Sequence, residues 1–154
     1  MALARRGARG SAKPARGRVR EKTVVAAGTF DILHPGHLHY LSHAKGHGRL
    51  VVIVSSDEWA QRSGKQLVHT QAERAELVRA LRIVDEVVLG ESGSQLATIR
   101  RIRPDLIYLG YDQKMPEEVE AYCRAHKIKI LRDSCASQPL RHKTTRIKER
   151  IRGR

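Results

Sequence analysis

Cysteine is scarce in this sequence: Cys123 and Cys135 are the only two. That excludes a disulfide framework and a four-cysteine zinc site alike. Long apolar runs are also missing. The longest clean one, Leu50–Val54, falls far short of the ~20 residues a membrane-spanning helix needs. No apolar stretch follows the basic N-terminus, so no secretory signal is read and the expected location is the cytoplasm. Aromatic residues make up 4% of the 154 residues, and acidic residues are outnumbered, with 30 Lys plus Arg against 16 Asp plus Glu and a net charge of +14. What is present suits a folded chain. Hydrophobic residues reach 40% and charged residues 30%, as in soluble globular proteins, and the length suits one compact domain with a proper core.

The positive charge is uneven. Residues 1–22 hold eight basic residues and a single acid, Glu21, half of the net charge of the chain. The same stretch is rich in Ala and Gly and has no Ile, Phe, Trp or Tyr. It lacks the apolar surface needed to offset the entropy of ordering it. It reads as a basic disordered tail, either a non-specific arm making weak contact with nucleic acid or another polyanion, or a solvated extension. Residues 23–154 form the predicted domain, mildly basic and suited to phosphorylated ligands.

From Thr23 onward strands and helices alternate. Strands are predicted at Thr23–Ala27, Arg49–Ser55, Glu86–Leu89, Leu106–Leu109 and, more weakly, Ile128–Leu131. The continuous apolar runs predict strands buried on both faces of a parallel sheet. Helices are predicted from Pro35, with Leu38, Leu41 and Ala44 on one side, and over Gln71–Leu81, where Leu77, Val78 and Leu81 share helical spacing. Further helices are expected at Leu96–Ile102, Pro116–His126 and Lys143–Arg152. The βαβα order predicts an α/β domain, helices on both faces of a central parallel sheet of about five strands. Ligands of such sheets bind at the carboxyl ends of the strands.

The first strand runs into Gly28-Thr29-Phe30-Asp31-Ile32-Leu33-His34-Pro35-Gly36-His37. Gly28 permits a tight turn where a phosphate can approach the backbone. With a helix starting near Pro35, His34 and His37 lie at its positive end beside free N–H groups, an anion site. Two imidazoles there can donate to phosphate oxygens or hold a metal. A bare H-x-x-H is weak in a chain with eight histidines, but strand, Gly-Thr-Phe-Asp and Pro-Gly in order make the segment specific.

Gly28–His37 resembles the G-x-F-D-x-x-H-x-G-H signature of the nucleotidyltransferases related to cytidylyltransferases, within the superfamily that includes class I aminoacyl-tRNA synthetases. The chain is too short for a synthetase. The resemblance covers about Val24–Ile151 and implies a Rossmann-like three-layer fold that binds a nucleoside triphosphate over the first helix. It implies transfer of a nucleotidyl group to a phosphorylated acceptor with release of pyrophosphate. Three further segments carry it. Lys65, in Arg62-Ser63-Gly64-Lys65, resembles the mobile-loop lysine of the family. Arg74 resembles its helix-opening arginine, structural or acceptor-linked in role. Gly110 and Asp112, in Leu109-Gly110-Tyr111-Asp112-Gln113, resemble residues bordering the nucleoside. Lys143-Thr144-Thr145-Arg146-Ile147-Lys148-Glu149-Arg150-Ile151 resembles the second signature, with hydroxyls at a helix start followed by Arg146 forming a phosphate clamp. The usual Ile-Ser before that motif is replaced here by His142-Lys143.

The mechanism so implied needs little acid–base chemistry, because the acceptor phosphate is already a nucleophile. His34 and His37 would serve the α-phosphate, and Lys65 and Arg146 the β- and γ-phosphates. Gly28, Thr29, Phe30, Pro35, Gly36, Gly110, Asp112, Thr144 and Thr145 would line the nucleotide. Mg²⁺ or another divalent cation would bridge the phosphates, with no protein ligand assigned. The Pro between His34 and Gly36, the Leu109–Gln113 segment and a cysteine near the C-terminus resemble the archaeal FAD synthases of the family. They imply ATP and FMN as substrates, with Trp59 and Tyr111 as candidates to stack on a flavin. The alternative is CTP with glycerol 3-phosphate or another phosphorylated small-molecule acceptor. A non-enzymatic RNA-binding protein on a relic nucleotide fold is opposed by the intact His34, His37 and Thr-Thr-Arg. A homodimer is common in the family, and no membrane association is expected.

Overall fold

The computed structural model describes residues 20–134 and 144–153. Its sheet consists of β1 (Thr23–Gly28), β2 (Arg49–Val54), β3 (Glu86–Leu89), β4 (Leu106–Leu109) and β5 (Lys129–Arg132). All pairings are parallel, in the order β3-β2-β1-β4-β5. The helices are α1 (Pro35–Lys45), α2 (Asp57–Arg62), α3 (Gln71–Arg79), α4 (Gln95–Ile102), α5 (Glu117–Ala125) and α6 (Thr144–Arg152). The architecture is the predicted three-layer α/β fold.

Side chains of a strand point alternately to the two faces, and the two cores follow that alternation. On one face Val24, Ala26, Leu50, Val52 and Val54 pack with Leu41 and Ala44 of α1 and with Ala75 and Val78 of α3. On the other, Val25, Val51, Ile53 and Ile107 pack with Ile99 of α4 and with Val119 and Cys123 of α5. Each fully buried aliphatic side chain contributes about 1.5–3 kcal/mol. The buried Cys123 is thus a core residue, and Cys135 lies outside the described residues.

Three details differ from the expectation. β3 and β5 are edge strands, so β3 is half-exposed instead of buried on both faces, and Leu89 reaches solvent. Leu38 and Leu77 also face solvent, because the sheet admits only the narrower stripes of Leu41–Ala44 and Ala75–Val78. The short α2 was not expected. Ser56 starts it by accepting a hydrogen bond from the Trp59 N–H. Of the basic stretch, residues 1–19 lie outside the described residues. Arg20 pairs with Asp105, and the Lys22 carbonyl accepts from the Arg49 N–H at 2.9 Å, leading the chain into β1.

Chain direction around the sheet reverses between β1 and β4, which are neighbours although far apart in sequence. The crevice outside the carboxyl ends of β1 and β4 is the natural ligand site of such a sheet.

Candidate active site

That crevice is a cavity of about 1320 Å³ walled by the segments after β1, β2 and β4 and by α6. The turn after β1 is built by steric exclusion. Phe30 takes a left-handed backbone (φ 52°) and buries its ring. The ring lies so close to Gly28 that a Cβ there would stand 2.7 Å from Phe30 Cζ. Glycine is required at position 28 by this close approach.

Pro35 occupies the first turn of α1, where its missing N–H costs nothing. His34 precedes it in extended conformation, and no side chain caps the helix. The cavity is therefore faced by the positive end of a helix, ready for an anion. The imidazoles of His34 and His37 stack there, centroids 3.8 Å apart and planes 20° from parallel, and Phe30 meets His37 edge-on at 5.1 Å. Burial, then the neighbouring His34, then Lys65 push His37 down to about 3. His37 is neutral near pH 7, and its buried Nδ1 has no hydrogen-bond partner among the described residues.

Lys65 reaches the cavity from the segment after α2. Its ammonium donates to Thr29 Oγ1 at 2.7 Å and stands 5.7 Å from the Trp59 ring. Desolvation and the nearby Arg74 lower its pKa, while Asp112 and Asp31 act the other way. Arg74, on α3, is wholly buried and holds this wall together. It donates to the Thr29 carbonyl, to the Ser55 carbonyl at 2.8 Å and to Asp57 at 2.6 Å. Those bonds fix the ends of β1 and β2 relative to one another, a structural role.

Asp31 fixes the next layer. Its buried carboxylate accepts from the N–H groups of Val68 and His69 at 3.0 Å and from Lys148 Nζ at 2.6 Å. Burial alone would raise its pKa, but Lys148 and the two N–H groups hold it below the usual value. Lys148 also donates to the Gln66 carbonyl, and Arg152 donates to Gln66 Oε1 at 2.6 Å. Thr144 donates to the Ile32 carbonyl at 3.4 Å. Helix α6 thus lies over the β1–α1 turn and turns Thr144, Thr145, Lys148 and Arg152 to the cavity. Arg146 is exposed and outside the cavity lining. The basic side chains that α6 does present, Lys148 and Arg152, follow Thr144 and Thr145 at helical spacing.

At the end of β4 the gap to β1 is bridged by Gln113. Its amide donates to the Ala27 carbonyl at 3.1 Å, and its Oε1 accepts from the Gly110 N–H at 3.1 Å. Tyr40 adds a second bridge, accepting from the Ala27 N–H at 3.2 Å and donating to the Tyr108 carbonyl at 2.8 Å. Gly110, Tyr111 and Asp112 are thereby held on the cavity wall, Asp112 at its exposed rim.

The cavity brings together Gly28, Thr29, Phe30, His34, Pro35 and the rest of the predicted set except Arg146. Sequence reasoning gave no role to Asp31, Gln113 or Lys148. All three stood inside quoted motifs, but their partners lie in distant segments.

A family model described as cytidylyltransferase-like matches residues 25–150. The FAD synthase of Picrophilus torridus is 45% identical over 103 residues, covering 66% of this chain and 74% of that protein. The FAD synthase of Thermococcus onnurineus is 40% identical over 134 residues, covering 83% and 89%. Among solved structures, a lipopolysaccharide core biosynthesis protein from Thermoplasma volcanium superposes with a TM-score of 0.69 at 40% identity, covering 75% of this chain and 98% of that one. With the matched region spanning the sheet, the histidine pair and most of α6, the chain belongs to the cytidylyltransferase-like family.

Proposed function

We propose that the protein transfers the adenylyl group of ATP to the phosphate of FMN, giving FAD and pyrophosphate. The observation that carries the chemistry is the stacked His34–His37 pair at the uncapped start of α1, faced by Lys65 across one cavity. The relatives named FAD synthase support the choice of substrates. The cavity exceeds the ~300–1,000 Å³ typical of a single-ligand site, as two phosphorylated substrates require.

A phosphate oxygen of FMN attacks the α-phosphorus of ATP. The bond from that phosphorus to the α,β-bridging oxygen breaks, and pyrophosphate leaves with the electron pair. His34 and His37 donate to the α-phosphate and to the charge that develops on it. Neutral His37 approaches the nucleotide as an N–H donor, and the arriving anion raises its proton affinity. Lys65 and Lys148 hold the β- and γ-phosphates, with Arg146 as an outer contact. Thr144 and Thr145 close the site from α6, and Thr29 and Phe30 line it through their backbone. Gly110 and Asp112 border the nucleoside, and Trp59 or Tyr111 stacks on the isoalloxazine.

The cavity wall is rich in imidazole and ammonium, and Asp31 is already engaged by Lys148. Asp112, an exposed carboxylate on the cavity rim, would be the residue to hold Mg²⁺ beside the bound nucleotide. When bound, such an ion supplies charge neutralisation on the phosphates.

A product assay by mass spectrometry tests this reading. The protein receives ATP and CTP together, Mg²⁺, FMN and glycerol 3-phosphate, with pyrophosphate followed in parallel. FAD is the expected product. CDP-glycerol, or pyrophosphate without FAD, would retain nucleotidyl transfer and remove the flavin.

A further inference from the structure

A cluster of three potential ligands lies along α1 beyond the His34–His37 pair, with two of its members, His39 and Asp133, also on the wall of the cavity. His39 and His43 are one helical turn apart on α1 and so share a face. Asp133 follows β5 directly. Its N–H donates to the Leu109 carbonyl at 2.8 Å, and it is only 7% exposed. His39 Nδ1 stands 3.8 Å from one carboxylate oxygen of Asp133, and His43 Nδ1 stands 3.6 Å from the other. The two rings are 4.0 Å apart and tilted by 47°. One ligand atom from each residue can be chosen so that all lie within 4.8 Å of one another.

Both His–Asp separations are too long for hydrogen bonds. They are close to the edge of a coordination tetrahedron, about 3.4 Å for metal–ligand bonds of about 2.1 Å. Two imidazoles and a carboxylate are a donor set for a borderline ion. Mg²⁺, which demands oxygen ligands and gives up water reluctantly, is selected against. The backbone bond to the Leu109 carbonyl fixes the main chain at Asp133 against the end of β4.

We infer that His39, His43 and Asp133 form a binding site for a single borderline divalent ion such as Zn²⁺ or Co²⁺. Three protein ligands leave a fourth position open. The ion ties α1, the helix that carries His37, to the chain leaving β5. It is distinct from the Mg²⁺ expected on the triphosphate, and its binding requires no substrate.

The test uses the full chain, freed of metal by a chelator and without nucleotide or flavin. Titration with Co²⁺ is followed by visible ligand-field absorption, and Zn²⁺ by competition with a chromogenic chelator. One ion per chain is expected, with a rise in melting temperature. His43→Ala and Asp133→Asn should each weaken binding at least ~10-fold and remove the thermal shift. His47→Ala and His126→Ala should leave both unchanged, and apo melting curves confirm that each variant folds. Absence of Co²⁺ binding, or binding that survives both ligand substitutions, would overturn the assignment. Because no substrate is present, failure here is separate from failure of the proposed reaction.

Discussion

The carboxylate of Asp31 and the ammonium of Lys148 meet at 2.6 Å across 117 residues of chain. Asp31 is 3% exposed and Lys148 18%. This contact joins the turn after β1 to α6, and the N–H groups of Val68 and His69 join the same carboxylate. Three walls of the cavity are thus held by one side chain.

Removing the cation from this pair leaves a buried carboxylate without its charge partner, at a cost of about 3–5 kcal/mol when the group cannot relax. Lys148→Met is expected to lower the melting temperature and to expose the 63–70 segment to proteolysis. It should also raise the KM for the nucleotide about 10-fold, the effect of losing about 1.4 kcal/mol of binding. Unchanged melting and KM would show that α6 is not held by this contact.

Gly28 is set by the ring of Phe30, which would lie 2.7 Å from an added Cβ. The buried ring cannot move aside freely, so Gly28→Ala should destabilise by about 1–3 kcal/mol, as overpacking does. At Gly110 the nearest atom to an added Cβ is 3.7 Å away, on the Gln113 side chain. Gly110→Ala should therefore change stability by less than about 0.5 kcal/mol. Urea melts of the two variants measure the contrast, and equal losses would contradict it.

The neutrality of His37 has a measurable consequence for folding. Its pKa is about 3 in the folded chain against 6.5 for the ordinary group. Between these values the unfolded chain binds the extra proton. The stability due to neutral His37 is therefore full above about pH 6.5 and falls on acidification, with a slope of at most about 1.4 kcal/mol per pH unit. Asp31 and Asp85 have lowered pKa values, so their contribution is lost only as pH falls below the carboxylate value of 3.8. Glu73 is likewise lowered, from 4.5, so urea melts between about pH 7 and pH 5.5 keep above the range of all three carboxylates. His37→Gln should show a shallower loss than wild type, and parallel curves would contradict the burial of a neutral imidazole.

The parallel sheet was legible because its strands are unbroken apolar runs, Leu50–Val54 above all, separated by helical spacing. The start of α1 was legible because Pro35 and the two histidines carry local geometry. Edge exposure of β3 was not legible, since nothing in Glu86–Leu89 says which neighbour a strand lacks. Helix α2 has six residues, too few for a periodic pattern to stand out. The duties of Asp31, Arg74 and Gln113 depend on partners 37, 45 and 86 residues away, and local pattern carries no such information. On α6 the second-signature motif pointed to Arg146, whereas the helix turns Lys148 and Arg152 to the cavity along with Thr144 and Thr145. Accordingly Lys148→Ala should cost more nucleotide affinity than Arg146→Ala in the same calorimetric titration.

The most direct test of the account is the rate of FAD formation from saturating ATP and FMN in wild type and in His37→Ala. Circular dichroism and melting curves establish that the variant is folded. Loss of one donor to the transition state should lower turnover at least ~10²-fold. A variant that makes FAD at a rate near that of wild type would show that the cavity over α1 is not where the α-phosphate is attacked.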